Sequence, residues 1–229
     1  GYGGGLHVSA DSVNETGWAF GGAARANCRI SQAWNLQGDL LADGATIEGE
    51  GIYGYGAAAH AFWRDPGAYA FGAFATIDGF GGSSGFDGIN RFTVGPEAQL
   101  YMGNTTLYGQ AYYGQYNGAG VGGGSIDTWG VRGVVRYFAH ENLRFDGELG
   151  YQKIDAPRDS ANSINAAVQA TYRFEDTPWS VFGRYQYQAL SGGTPAGDVD
   201  MHKFVVGLRA SFGSDSLLDE DRNGASLDT

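Results

Sequence analysis

The chain has 229 residues, 40 of them glycine, only five prolines, and a net charge of −11. That charge argues against a general nucleic-acid partner, and the lone Cys28 excludes an internal disulfide. No stretch approaches the roughly 18 consecutive apolar residues of a transmembrane helix.

Apolar and polar residues alternate with period two between turn signals, which predicts strands. In chain order they fall at 3–11, 17–29, 33–43, 50–64, 68–78 and 89–102, then at 105–116, 127–138, 143–153, 163–174, 179–190 and 201–212. The connections alternate in length. Tight ones lie around Ile30–Gln32, Asp65–Gly67, Gly103–Asn104, Ala139–Asn142 and Glu175–Pro178. Longer ones lie around Ser12–Thr16, Gly44–Gly49, Gly79–Gly88, Asn117–Ser125, Ala156–Asn162 and Ser191–Asp200. Short turns at one end and longer loops at the other are the rhythm of an outer-membrane β-barrel, with short turns periplasmic. The predicted fold is an all-β, antiparallel up-and-down transmembrane barrel of about 12 strands, with 10 or 14 as alternatives. Both termini then fall on the periplasmic side.

Alternation alone does not say which face is inside, since a soluble barrel points its apolar face inward. Trp129, Val131, Val135, Phe145, Leu149, Val168 and Leu208 lie on apolar faces. Arg132, Glu148, Arg184 and Arg209 lie on polar ones. Three features favour apolar-out. Aromatics gather near strand ends, as at Trp34, Trp63, Tyr69, Tyr137, Phe174 and Trp179, where an interfacial girdle belongs. Arginine, glutamate and glutamine occupy mid-strand polar positions, and the apolar faces recur on nearly every strand.

The stretch 202–212 alternates Phe204, Val206, Leu208, Ala210 and Phe212, and ends on phenylalanine. It resembles the C-terminal strand signature by which outer-membrane proteins are recognised for insertion. The span 1–212 resembles the porin-like barrels of alphaproteobacteria. The chain departs from that pattern in continuing through 213–229, predicted to be an acidic periplasmic tail that is disordered, bound to something, or packed against the barrel mouth.

Pairing across the tight turns sets Glu97 opposite Gln110, Arg91 opposite Tyr116, Arg25 opposite Asp39 and Arg184 opposite Gln169. Arg132 falls near Glu148, and Arg136 near Asp146. The candidate lumen constriction is therefore Arg25, Asp39, Glu97, Arg132, Glu148, Arg184, Lys203 and Arg209, with the cations near mid-height. Rings of Arg and Lys select anions in pores. The competing view is a salt-bridged plug, since long side chains can fill a narrow barrel and buried charges must be paired. Arg184 and Arg209 have no evident acid opposite, so they are expected to dominate any selectivity. Further acids, Asp11, Glu15, Asp43, Glu48, Glu50, Asp78, Asp87, Asp155, Asp159 and Asp198, are expected at the mouth as a solvated rim, or as divalent-cation bridges to lipopolysaccharide phosphates or to neighbouring copies.

The tail contains Asp219, Asp221, Asn223 and Gly224 at the spacing of the first half of a calcium loop. The bidentate glutamate that closes such a loop is missing, and a solvated acidic tail is the plainer expectation. No other metal site and no cofactor are predicted. His7, Ser9 and a neighbouring Asn27 could supply the parts of a lipid-acting enzyme only if brought together, so no enzyme is predicted. The functional expectation is a passive outer-membrane pore for small solutes, leaning to anions. The alternatives are a non-conducting structural barrel packing with copies or partners and, remotely, a lipid-acting enzyme. Expected partners are outer-membrane lipid and lipopolysaccharide, a homo-oligomer or other envelope proteins.

Overall fold

The structure is a computed structural model that describes residues 1–10, 13–47, 49–82, 88–118, 125–155, 160–192 and 198–228. The described residues form twelve strands: β1 (Tyr2–Ala10), β2 (Val13–Arg29), β3 (Trp34–Ile47), β4 (Glu50–Asp65), β5 (Tyr69–Gly82), β6 (Ile89–Met102), β7 (Thr105–Gly118), β8 (Ile126–His140), β9 (Leu143–Asp155), β10 (Ser160–Arg173), β11 (Trp179–Ser191) and β12 (Val199–Ala210). Each pairs antiparallel with its sequence neighbours, and β1 pairs with β12, so the sheet closes on itself. Closure leaves no unpaired edge, which is what permits a sheet to stand in lipid. One helix, α1 (Leu217–Asn223), follows the barrel.

The predicted registers hold. Arg25 is opposite Asp39, Glu97 opposite Gln110, Arg91 opposite Tyr116 and Arg184 opposite Gln169. Two-residue turns such as Gly103–Asn104 enforce them; Gly103 has φ +57°, the left-handed region that favours glycine. Between β6 and β7 the backbones close in at Gly95, where a Cβ would lie 1.8 Å from the Ala111 carbonyl oxygen. Only glycine fits there.

Strand limits differ from expectation mainly at the long-loop end. The loops expected at Ser12–Thr16 and Gly44–Gly49 are largely strand, because Asn14, Glu15 and Thr16 pair with β1 and Ala45–Ile47 with β4. Polar side chains there do not stop the ladder, since backbone pairing does not need an apolar face. Phe212, the last residue of the terminal signature, stands just past β12 and is 83% exposed.

The apolar faces point outward. Trp129, Val131, Val135, Phe145, Leu149, Val168 and Leu208 are all exposed. Trp34 packs edge-on against Trp63 with ring centroids 5.8 Å apart near the tight-turn end, and Tyr172 likewise meets Phe174. A wall of exposed apolar residues banded by aromatics suits a bilayer and would be unstable in water. No described helix is long and apolar enough to cross a membrane; strands do the crossing.

Candidate functional site: the lumen and its tail

The polar faces of the strands meet inside the barrel, and the C-terminal segment meets them. After β12 the chain turns back at Gly213, φ +83°, and enters the lumen from the tight-turn end. Ser216 caps α1, its hydroxyl accepting the Asp219 amide at 3.0 Å. Leu217 and Leu227 are 0% and 1% exposed. The tail is thus neither a free acidic extension nor a mouth cover, but a second layer inside the wall.

Wall arginines hold it there. Arg136, 1% exposed, donates to Asp221 at 2.7 Å and also to the carboxylate of Asp228. Arg25 donates to the other Asp228 oxygen. The Asp228 main-chain oxygen accepts from the Tyr108 hydroxyl at 2.7 Å and from Arg132 at 3.2 Å. Arg64 donates to the Gly224 carbonyl and to the Ser226 hydroxyl, both at 2.8 Å. Arg209 pairs with Glu220, and Arg173 donates to the Ser214 carbonyl at 2.6 Å. Gln37 and Gln99 bind the main-chain oxygens of Leu227 and Ser226. Burial alone would raise the carboxyl pKa of Asp228, but Arg136, Arg25 and Arg132 hold it well below the usual carboxylate range.

Wall acids at this level are largely occupied. His60 lies between Glu97, at 2.8 Å from Nδ1, and Asp39, at 3.6 Å from Nε2. The Tyr108 hydroxyl oxygen also lies 3.0 Å from a Glu97 carboxylate oxygen. Arg25 reaches Asp39 at only 3.7 Å, a looser contact than its bond to the tail.

Towards the long-loop end the lumen opens into a cavity of about 400 Å³. Its polar lining includes Thr76, Gln110, Asn165 and Gln188. Charges here pair within the wall. Glu148 accepts from Arg132 at 2.8 Å and from Arg184 at 2.9 Å, and Asp78 accepts from Arg91 at 2.8 Å.

The candidate constriction residues therefore separate. Arg25, Asp39, Glu97 and Arg132 meet at the inner limit of the tail. Glu148 and Arg184 belong to the cavity. Lys203 occupies a lumen position on β12, between outward Phe204 and His202. Arg209 is one residue from the end of β12, at the mouth rather than mid-height. The expectation that Arg184 and Arg209 lack acids is corrected: strand stagger brings Glu148 to Arg184, and the returning tail brings Glu220 to Arg209. Arg136 turns from its register partner Asp146, which binds Arg144 at 3.0 Å, to the tail.

The calcium-loop spacing is used for a helix. Asp221 is taken by Arg136 and Thr106, while Asp219 accepts from Asn223 at 2.8 Å, so the three side chains do not converge. Among the described residues no group of three His, Cys, Asp or Glu is placed to hold a metal. Of the expected mouth acids, Asp43 accepts from Tyr2 inside the lumen at 2.7 Å, and Asp78 pairs with Arg91. Asp155 pairs with Lys153 at 2.9 Å. Asp11, Glu48, Asp87 and Asp159 lie outside the described residues. His7 and Ser9 sit beside Thr16 and Asn14, whereas Asn27 bonds Asn35 far along β2, so that trio is not assembled.

Arg64, Arg136, His60, Tyr108, Asp221 and Asp228 were not among the sequence candidates for the constriction. The one signal for them was the acid-rich extension after the terminal phenylalanine, matched by lumen arginines outnumbering nearby wall acids.

No family model matches the chain, and no curated protein matches it. Solved structures do. An outer membrane channel from Pseudomonas putida F1 is 12% identical, with 91% of this chain and 94% of that one aligned, at a TM-score of 0.60. The NanC porin is 9% identical over 92% and 99% of the two chains, with a TM-score of 0.58. The beta domain of the Bordetella autotransporter BrkA is 13% identical over 92% and 98%, with a TM-score of 0.55. At such identities the likeness speaks for the fold, which is that of bacterial outer-membrane barrels.

Proposed function

We propose that this protein is a passive outer-membrane pore for small solutes, anion-leaning, with its C-terminal tail closing the lumen at rest. The observation that carries the reading is the set of lumen arginines whose partners come from the tail: Arg25, Arg64, Arg136 and Arg209. With the tail withdrawn, these cations would line a narrow low-dielectric passage and favour anions. Two of the three similar structures are described as a porin and a channel, which fits. The C-terminal strand pattern keeps the resemblance to alphaproteobacterial porin-like proteins within this reading. Both termini would be periplasmic, with the tight turns.

The tail also favours a second reading, a structural barrel that never conducts. Planar-bilayer recording of Asp221→Asn/Asp228→Asn separates the two. Open events with reversal potentials favouring chloride over potassium are expected. Clean insertions without current in that variant would leave the structural barrel. Neither reading calls for catalysis, and lipid, lipopolysaccharide or further copies would meet the outer wall alone.

A further inference from the structure

We infer that the tight-turn half of the lumen is a binding site for carboxylate-bearing solutes, which the chain's own tail occupies as a resident ligand. The inference rests on the pore reading above for its access route, and on the following geometry for its chemistry.

The wall at this level is a receptor for acids. Arg136 is almost wholly buried, and the acids it binds, Asp221 and Asp228, both belong to the tail. Withdrawing the tail removes both of these carboxylates. It leaves the guanidinium facing the lumen with only its register partner Asp146, itself bound to Arg144, nearby, so another carboxylate can take the vacated position. The site is also shaped for more than charge. The two carboxylate oxygens of Asp228 are divided between Arg25 and Arg136, and its carbonyl takes the Tyr108 hydroxyl and Arg132. A carboxylate with a neighbouring carbonyl or hydroxyl satisfies the same four donors. Asp221, on Arg136 and Thr106, marks a second carboxylate position beside it. The fitting ligand is thus a small polar molecule with two or more carboxylates, such as a tricarboxylic acid or an acidic sugar chain.

The remainder of the wall supports this. Glu97 and Asp39 are drawn to His60, and Gln37 and Gln99 present amide groups to main-chain oxygens of the tail. Amides and guanidiniums serve sugar hydroxyls as readily as peptide carbonyls. The cavity of about 400 Å³ beyond Asp228 gives such a solute a waiting position on the long-loop side. The solute and the tail then compete for the same arginines, and entry of one releases the other.

The test reads tail release directly, without current. Ser226, buried against Arg64 and Gln99, is replaced by cysteine in the detergent-solubilised full chain carrying Cys28→Ala. Its labelling by a charged maleimide is timed with tricarballylate, with glycerol, and with sodium chloride at matched ionic strength. Leu227→Cys, at a position 1% exposed, reports the same event from a side chain without a polar contact to lose. Slow labelling is expected alone, in glycerol and in chloride. It should accelerate about tenfold once tricarballylate nears ten times its dissociation constant. Equal acceleration by chloride would mean simple screening and overturn the site. So would labelling that tricarballylate leaves unchanged at both positions. Tricarballylate-driven labelling in a protein whose Asp221→Asn/Asp228→Asn form passes no current would keep the site and remove the pore; current without such labelling would do the reverse.

Discussion

The two halves of the lumen solve the same problem in different ways. In the long-loop half, charges are closed within the wall: Glu148 serves Arg184, Asp78 serves Arg91, and space is left beside them, while Arg132, bound to Glu148 and to the Asp228 carbonyl, marks the boundary. In the tight-turn half, Arg136, Arg64 and Arg209 reach past the wall to Asp221, Ser226 and Glu220, and the space is filled. The first half is complete without the tail. The second is complete only with it. Lumen arginines therefore do not by themselves define a permanent selectivity ring; their meaning depends on which chain segment supplies the acid.

The hardest blow to this contrast is Arg136→Ala. It removes the guanidinium shared by Asp221 and Asp228, leaving them Arg222 and Arg25 as their remaining cations. It should cost tail docking about 3 kcal/mol, the low end for breaking a buried pair, read as lost amide-exchange protection over 217–227. Asp78→Asn, in the self-sufficient half, should leave that protection within about 0.5 kcal/mol of the parent. Equal losses in the two variants would erase the distinction. On the outer wall, Val131→Arg should lower barrel stability in lipid by about 2–4 kcal/mol without touching the tail, seen as a shifted denaturation midpoint. An unshifted midpoint would place this wall outside the bilayer.

Acid should have the smallest effect. The Asp228 carboxyl is held well below its ordinary value, so its contribution is present above the unfolded pKa and lost only as pH falls through the depressed one. Tail protection measured from pH 7 to about pH 4, the ordinary carboxylate value, should stay constant. A transition within that window would mean that the arginines do not hold this carboxylate.

Most of the wall was legible in the sequence, because period-two alternation and two-residue turns fix both face and register. Arg25 opposite Asp39 and Arg184 opposite Gln169 follow from counting along strands. The tail was not legible in that way. Its pairs, such as Arg136 with Asp221 and Gln37 with Leu227, join residues far apart in sequence with no periodicity between them. The aspartate spacing that suggested calcium is equally the spacing of a short capped helix, and only the buried arginine beside it decides between the two. Stagger had a smaller effect of the same kind: Glu148 reaches Arg184 across the β9–β10–β11 ribbon, beyond what pairwise register predicts.

The most direct measurement of the central claim is single-channel recording of the full chain beside Asp221→Asn/Asp228→Asn under identical salt. The full chain should be mostly closed, with brief openings, and the variant mostly open with the same unit current, because the same barrel is being unplugged. Full-chain channels that are as open as the variant would contradict the account, since the tail would then fill the lumen without closing it.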